Sequence, residues 1–143
     1  MPFVNYQGST LRASAATAGA SEQDTAVTLP ETVTSFWVVV NKTAENDPDN
    51  VLTVRLQAQV NSIWFDLSWD SITTTGALGT AADTAADVSR TPNIVDASTA
   101  ATLTVMAHYA EVPSNVIRVA SVSSGTGVTH TFSVESYFAL NKF

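Results

Sequence analysis

The sequence contains no cysteine at all. Disulfide scaffolds, zinc knuckles and thiol nucleophiles are thereby excluded. At 143 residues the chain is long enough to build one domain on packing alone. Charge is scarce too: charged residues make up 13% of the chain, against about 25% in an average soluble domain. Much of the surface must then consist of hydroxyls, amides and small apolar groups, which suits a protein covered by neighbours. The six cations, Arg12, Lys42, Arg55, Arg90, Arg118 and Lys142, stand singly in a chain of net charge −7. With no basic patch and a sequence pI near 4.4, nucleic-acid binding is disfavoured.

Long apolar runs are missing as well. None approaches the roughly 20 residues of a membrane-crossing helix, and residues 1–20 lack the basic-then-apolar design of a secretory signal. The expectation is a soluble protein made in the cytosol, with no membrane partner.

Groups that carry chemistry are few. His108 and His130 are the only histidines; neither has a partner at metal-ligand spacing, and both read as ordinary strand residues. No G-x-S-x-G elbow marks an activated serine. Asp66 and Asp70 lie four apart on one face of an extended segment, with nothing to suggest the enclosed pocket that a glycosidase pair needs. Glu45, Asp47 and Asp49, with Asn46 and Asn50, concentrate hard oxygen donors that could bind calcium. The run departs from the calcium-loop pattern, and Pro48 inside it favours a plain turn. The expectation is no metal, no cofactor and no enzyme activity.

What is present is a period of two. Leu52, Val54, Leu56, Ala58 and Val60 alternate with Thr53, Arg55, Gln57 and Gln59, as on a half-buried strand. Asn61-Ser62 then suits a hairpin turn. The next strand sets Ile63, Phe65, Leu67 and Trp69 on one face, read as core, and Trp64, Asp66 and Ser68 on the other. "SFWVVVN" (35–41) reads as a strand buried on both faces, with Trp37 in the core, and "KTAENDPDN" (42–50) as a polar loop. Leu103, Val105, Ala107 and Tyr109 share a face, as do Ile117 and Val119, and as do Val128, His130, Phe132, Val134 and Phe138. "SSGTG" (123–127) between the last two sets reads as a hairpin loop. Residues 77–100 break the rhythm with an Ala-, Asp- and Thr-rich excursion that could hold one or two helical turns. Residues 1–24 read as an extended N-terminal arm and 25–143 as an all-β domain, an antiparallel β-sandwich or jelly roll of about seven or eight strands. Trp64 alone of the three tryptophans falls on a strand's outer face, where it could meet a sugar ring or a protein.

Two stretches carry a resemblance. Leu52, Val54, Leu56 and Gln57 followed by Trp64, Phe65, Asp66 and Leu67, with "IRVASVSSGTGVTHTFSV" near the end, resemble small β-sandwich structural proteins of tailed bacteriophages. The likeness spans residues 24–136; the short Asn61-Ser62 turn, the 77–100 excursion and the N-terminal arm depart from it. It implies a virion protein assembled in the host cytoplasm. The role it favours is a capsid decoration (cement) protein, a homotrimer seated on the major capsid protein lattice at the capsid surface. Candidate contacts are Phe3, Tyr6, Leu11, Trp64, Leu78 and Ile94. The rival reading is a carbohydrate- or receptor-binding module of a phage tail or head fibre, which predicts two or three coplanar exposed aromatics, with Tyr137 or Tyr109 helping Trp64.

Overall fold

The computed structural model describes residues 3–47, 50–75, 92–96 and 102–142, with side chains for 7–47, 50–72, 92–95 and 102–139. All regular structure among them is β, in eleven strands: β1 Phe3–Ala16, β2 Ser21–Gln23, β3 Val27–Thr28, β4 Phe36–Glu45, β5 Leu52–Val60, β6 Ile63–Asp66, β7 Ser71–Thr75, β8 Ile94–Asp96, β9 Leu103–Tyr109, β10 Val116–Ser123 and β11 His130–Lys142. They form an antiparallel β-sandwich. One sheet has the order β1-β11-β4-β9-β7; the other has β2-β10-β5-β6, with β3 also on β10 and β8 also on β5. The count exceeds seven or eight because β1 is itself a strand and both outer positions of the second sheet are filled by two short segments each: β2 and β3 along β10, and β6 and β8 along β5.

The core lies where the two sheets meet. On β5 the buried residues are Leu52, Val54, Leu56 and Ala58, as the alternation demands. They face Val38 and Val40 of β4, Val105 and Ala107 of β9, Ile117 and Val119 of β10, and Phe132 and Val134 of β11 within one continuous cluster. Tyr109 is fully enclosed and stacks on Phe36 at 5.6 Å between ring centroids. Burial pushes its phenol pKa well above the usual range. Trp69 is buried, and its indole Nε1 donates to the Asn93 carbonyl at 2.9 Å, joining the segment between β6 and β7 to the residue before β8.

Several sequence expectations give way. Within the expected extended arm, residues 3–16 form an outer strand running antiparallel along β11. Residues 17–20 then cross to the other sheet, where Ser21–Gln23 pairs with β10. Arg12 fixes this crossing. Its buried guanidinium meets Glu22 at 2.6 Å and Asp24 at 2.7 Å, and lies 4.2 Å over the Phe132 ring. The loop 123–127 joins β10 and β11, which belong to opposite sheets, so it is a sheet-to-sheet crossing rather than a hairpin. Its Gly125 has φ +87° and a Cβ there would strike the Asn50 side chain, so no other residue fits without strain. The Asn61-Ser62 hairpin is as expected: both residues have positive φ, 51° and 65°, which suits the tight type I′ geometry.

The expected polar loop from residue 42 is also revised, because β4 runs on to Glu45. A register shift opposite Thr131 and Phe132 skips Thr43. In a regular strand Lys42 and Glu45 would point to opposite faces; the bulge turns both inward. Lys42 Nζ donates to Glu45 Oε2 at 2.9 Å with both side chains 2% exposed. The cluster continues through His130, whose Nε2 lies 3.7 Å from Glu45 and whose Nδ1 lies 2.7 Å from the Ser123 hydroxyl. Thr17, on the crossing, accepts from the His130 amide at 3.1 Å and donates its own amide to the His130 carbonyl at 2.9 Å. The polar knot therefore stitches β4, β10 and β11 to the N-terminal crossing.

Candidate functional site

Ser123, His130 and Glu45 bring together the residue types of a hydrolytic triad. The arrangement cannot work as one. Ser123 is 2% exposed and His130 is fully enclosed, so no substrate carbonyl reaches the hydroxyl. Among the described residues no group of three or more His, Cys, Asp or Glu is placed to hold a metal. Glu45 is committed to Lys42, and Asp49 of the acidic loop lies outside the described residues. Asp66 and Asp70 do not share a face: Asp66 is held by β5 side chains on one sheet, Asp70 by His108 on the other.

The outer surfaces carry more. On the six-stranded sheet, Trp64 sits opposite Gln59 and points outward as its alternation requires. Its ring is not free. The Arg118 guanidinium lies 4.2 Å over it, a cation–π contact. Arg118 Nε donates to Gln57 Oε1 at 2.7 Å, and Gln57 Nε2 donates to Asp66 Oδ1 at 2.9 Å. Arg55 approaches the other oxygen of Asp66 at 3.4 Å and donates from Nε to Asn93 at 2.7 Å. These side chains satisfy one another, leaving Trp64 half-buried on a pre-formed polar face. A sugar ring would have to displace Arg118 to stack there.

Next to this face, Ile63 and Phe65 are 57% and 49% exposed, against the expectation that both are core. Only Leu67 and Trp69 of that set are buried. The reason is position. β6 is an outer strand, and its inward-facing residues extend past the opposing sheet's cover among the described residues.

The third feature is the edge made by β1. From Phe3 to Thr10 it pairs with β11 without interruption, and no described strand lies on its other side. The other outer strands are five residues or shorter. Residues 1–11 carry no charged side chain, and β1 contains neither lysine nor proline, the usual guards of an exposed edge. β4 pairs with β11 only as far as Tyr137, so Phe138–Lys142 and Phe3–Gln7 pair with each other alone. They form a two-stranded ribbon beyond the start of β4, with Phe138 at its base still buried in the core.

Of the six expected contact residues, Phe3 and Tyr6 lie on this ribbon by backbone position, and their side chains lie outside the described set. Trp64 lies on the outer face. Leu11 and Ile94 are corrected: at 4% and 2% exposure they belong to the chain's own core and are unavailable to a partner. Leu78 lies outside the described residues. Sequence reasoning missed Ile63 and Phe65, because nothing local says that β6 is outermost. It also placed Trp37 in the core, whereas the structure turns it to the outer face of the five-stranded sheet, half-buried against His108 at 4.8 Å. Comparison with family models, curated proteins and solved structures finds no match for this chain.

Proposed function

We propose that this chain is a non-enzymatic structural protein of a tailed-phage virion, a decoration protein that seats on the major capsid protein lattice at the capsid surface and stabilises the head. The observation that carries the reading is the edge of β1 with its ribbon. A two-stranded ribbon is marginal by itself in water, and the Phe3–Thr10 edge, regular up to the register shifts around Arg12, is a template for another strand. In a chain of net charge −7 the first eleven side chains are uncharged, so a neighbouring copy meets no like-charge repulsion from the side chains of Phe3–Leu11. Where β1 of one copy pairs with a different edge of the next, the contact is head-to-tail and closes into a ring when its rotation allows, and the resemblance in residues 24–136 implies a trimer. The exposed Ile63 and Phe65 add apolar area for contact with the lattice.

Light scattering and native mass measurement of the full chain test the assembly. The expected result is a trimer, reduced to monomer by the double substitution Gln7→Lys/Thr10→Lys, which guards the edge at two exposed positions. Binding to capsid shells stripped of this protein tests the role. Failure to bind, with shells equally resistant to heat with and without it, would end the decoration reading.

A further inference from the structure

The outer face of the five-stranded sheet carries a feature that the assembly reading does not use. Antiparallel register places Gly8, Tyr137, Trp37, His108 and Ser71 side by side across β1, β11, β4, β9 and β7. Neighbouring strands lie about 4.8 Å apart, so Tyr137, Trp37 and His108 form one row perpendicular to the strands, long enough for two linked sugar rings. The Tyr137 ring packs beside the bare backbone of Gly8, where a Cβ would come within 3.3 Å of it. Tyr137 is nonetheless 43% exposed. Trp37 is half-buried and its ring meets that of His108 at 4.8 Å, tilted by 51°.

The row is oriented as well as exposed. His108 Nδ1 lies 2.7 Å from Asp70 Oδ1. A carboxylate only accepts, so Nδ1 carries the proton, and in the neutral ring Nε2 is left as an acceptor. The His108 and Asp70 side chains are 23% and 29% exposed, held but reachable. Where β4 begins and the β1–β11 ribbon continues, Ser35, Trp37, His108, Tyr137 and Ala139 line a concavity of about 160 Å³. Neighbouring aromatic rings beside a few fixed polar groups suit a ligand with one apolar and one hydroxyl-rich side.

We propose that this row is a glycan-binding subsite. The C–H face of a neutral pyranose stacks on Tyr137 and Trp37, and its hydroxyls bond to His108 Nε2, Asp70 and the Tyr137 phenol. The contrast with Trp64 is decisive for the choice of site, because Arg118 already occupies that ring. Phosphorylated or sulfated ligands fit poorly beside Asp70 on a chain of net charge −7.

The test uses the full chain and defined probes: hexasaccharides of β-1,4-glucose, α-1,4-glucose, mannose and N-acetylglucosamine, followed by ligand-observed NMR and calorimetry. Saturable binding to at least one series is expected. Tyr137→Ala, at an exposed position, should weaken it by at least about tenfold, with Trp64→Phe unchanged. Trp37→Ala should abolish it; should that variant fail to fold, Tyr137→Ala and His108→Ala still decide. No saturable binding by any probe overturns the proposal, as does binding that Tyr137→Ala leaves intact. Loss of self-association in Tyr137→Ala without sugar binding assigns the row to a protein contact, and also overturns it. Light scattering of Tyr137→Ala separates this result from failure of the β1 assembly.

Discussion

Two networks of cations and carboxylates cross this sandwich, built from the same parts at opposite depths. Inside, Lys42 is paired to Glu45 beside His130 and Ser123, with ion-pair side chains 2% exposed. Outside, Arg55 meets Asp66 directly and Arg118 meets it through Gln57, and the Arg55 and Asp66 side chains are 42% and 36% exposed. The inner network is shielded from solvent and from salt, and every group in it has already lost its water. The outer one keeps most of its hydration whether or not the pair forms. The difference teaches that the number of ion pairs says little; what removal of one partner costs is set by what the other partner can do without it.

The largest expected effect follows from the inner network. Lys42→Met keeps the volume of the stem but leaves Glu45 enclosed without its 2.9 Å partner. The expected loss is about 3–5 kcal/mol, read as a lower midpoint in urea unfolding with unchanged slope. The double substitution Lys42→Met/Glu45→Leu removes the uncompensated carboxylate and should recover most of that loss. A double variant as unstable as the single one would show that the knot is held by hydrogen bonds to Ser123 and Thr17, not by the ion pair. That outcome would break the comparison at its stronger end.

Arg12 lies between the extremes, with its own side chain 6% exposed but its partners Glu22 and Asp24 at 17% and 21%. Arg12→Ala should cost roughly 2–3 kcal/mol. It also frees the crossing at 17–20, so amide exchange in Ser21–Gln23 should accelerate before that of β5. Arg12→Lys keeps the charge but not the fork that reaches Glu22, Asp24 and the Ala15 carbonyl together, and should recover only part. If Lys restores full stability, charge alone holds the crossing.

The sequence displays some of this and hides the rest for identifiable reasons. The alternation of β5, β9 and the first part of β11 is legible because each strand has one face on the core and one on solvent. The Asn61-Ser62 turn and the burial of Trp69 are legible too. Lys42 is not: its inward direction depends on a bulge at Thr43 that only the partner β11 makes visible. Trp37 was hidden by its neighbours, since the unbroken run FWVVV looks the same whether its second face is covered or half-open. Ile63 and Phe65 alternate as core residues do, and only strand order shows that β6 is outermost. β1 escaped because Ser, Thr, Ala and Gly supply little hydrophobic pattern, and its pairing lies with a strand at the far end of the chain. For the candidate site, the outward direction of Trp64 was readable; its cover by Arg118, on a different strand, was not.

The outer network should respond weakly, and in an order that burial sets. Arg118→Ala removes a cation from the Trp64 ring and a donor from Gln57. About 1 kcal/mol is expected, with a change in tryptophan emission as Trp64 gains solvent.

Asp66→Asn should have the smallest effect of all. The substitution keeps an oxygen for Gln57 Nε2 and loses only the 3.4 Å approach of Arg55, itself anchored at 2.7 Å to Asn93. For a pair this exposed the expected change is below about 1 kcal/mol after solvent screening, and 1 M salt, with a Debye length of about 3 Å, should shrink it further. The same salt should leave the Lys42→Met loss nearly unchanged, because no ions enter the enclosed knot. Denaturant midpoints for both variants at low and high salt give the two responses side by side. A salt response of equal size in the two would mean that water and ions reach Lys42 freely, and that depth is not what separates these networks.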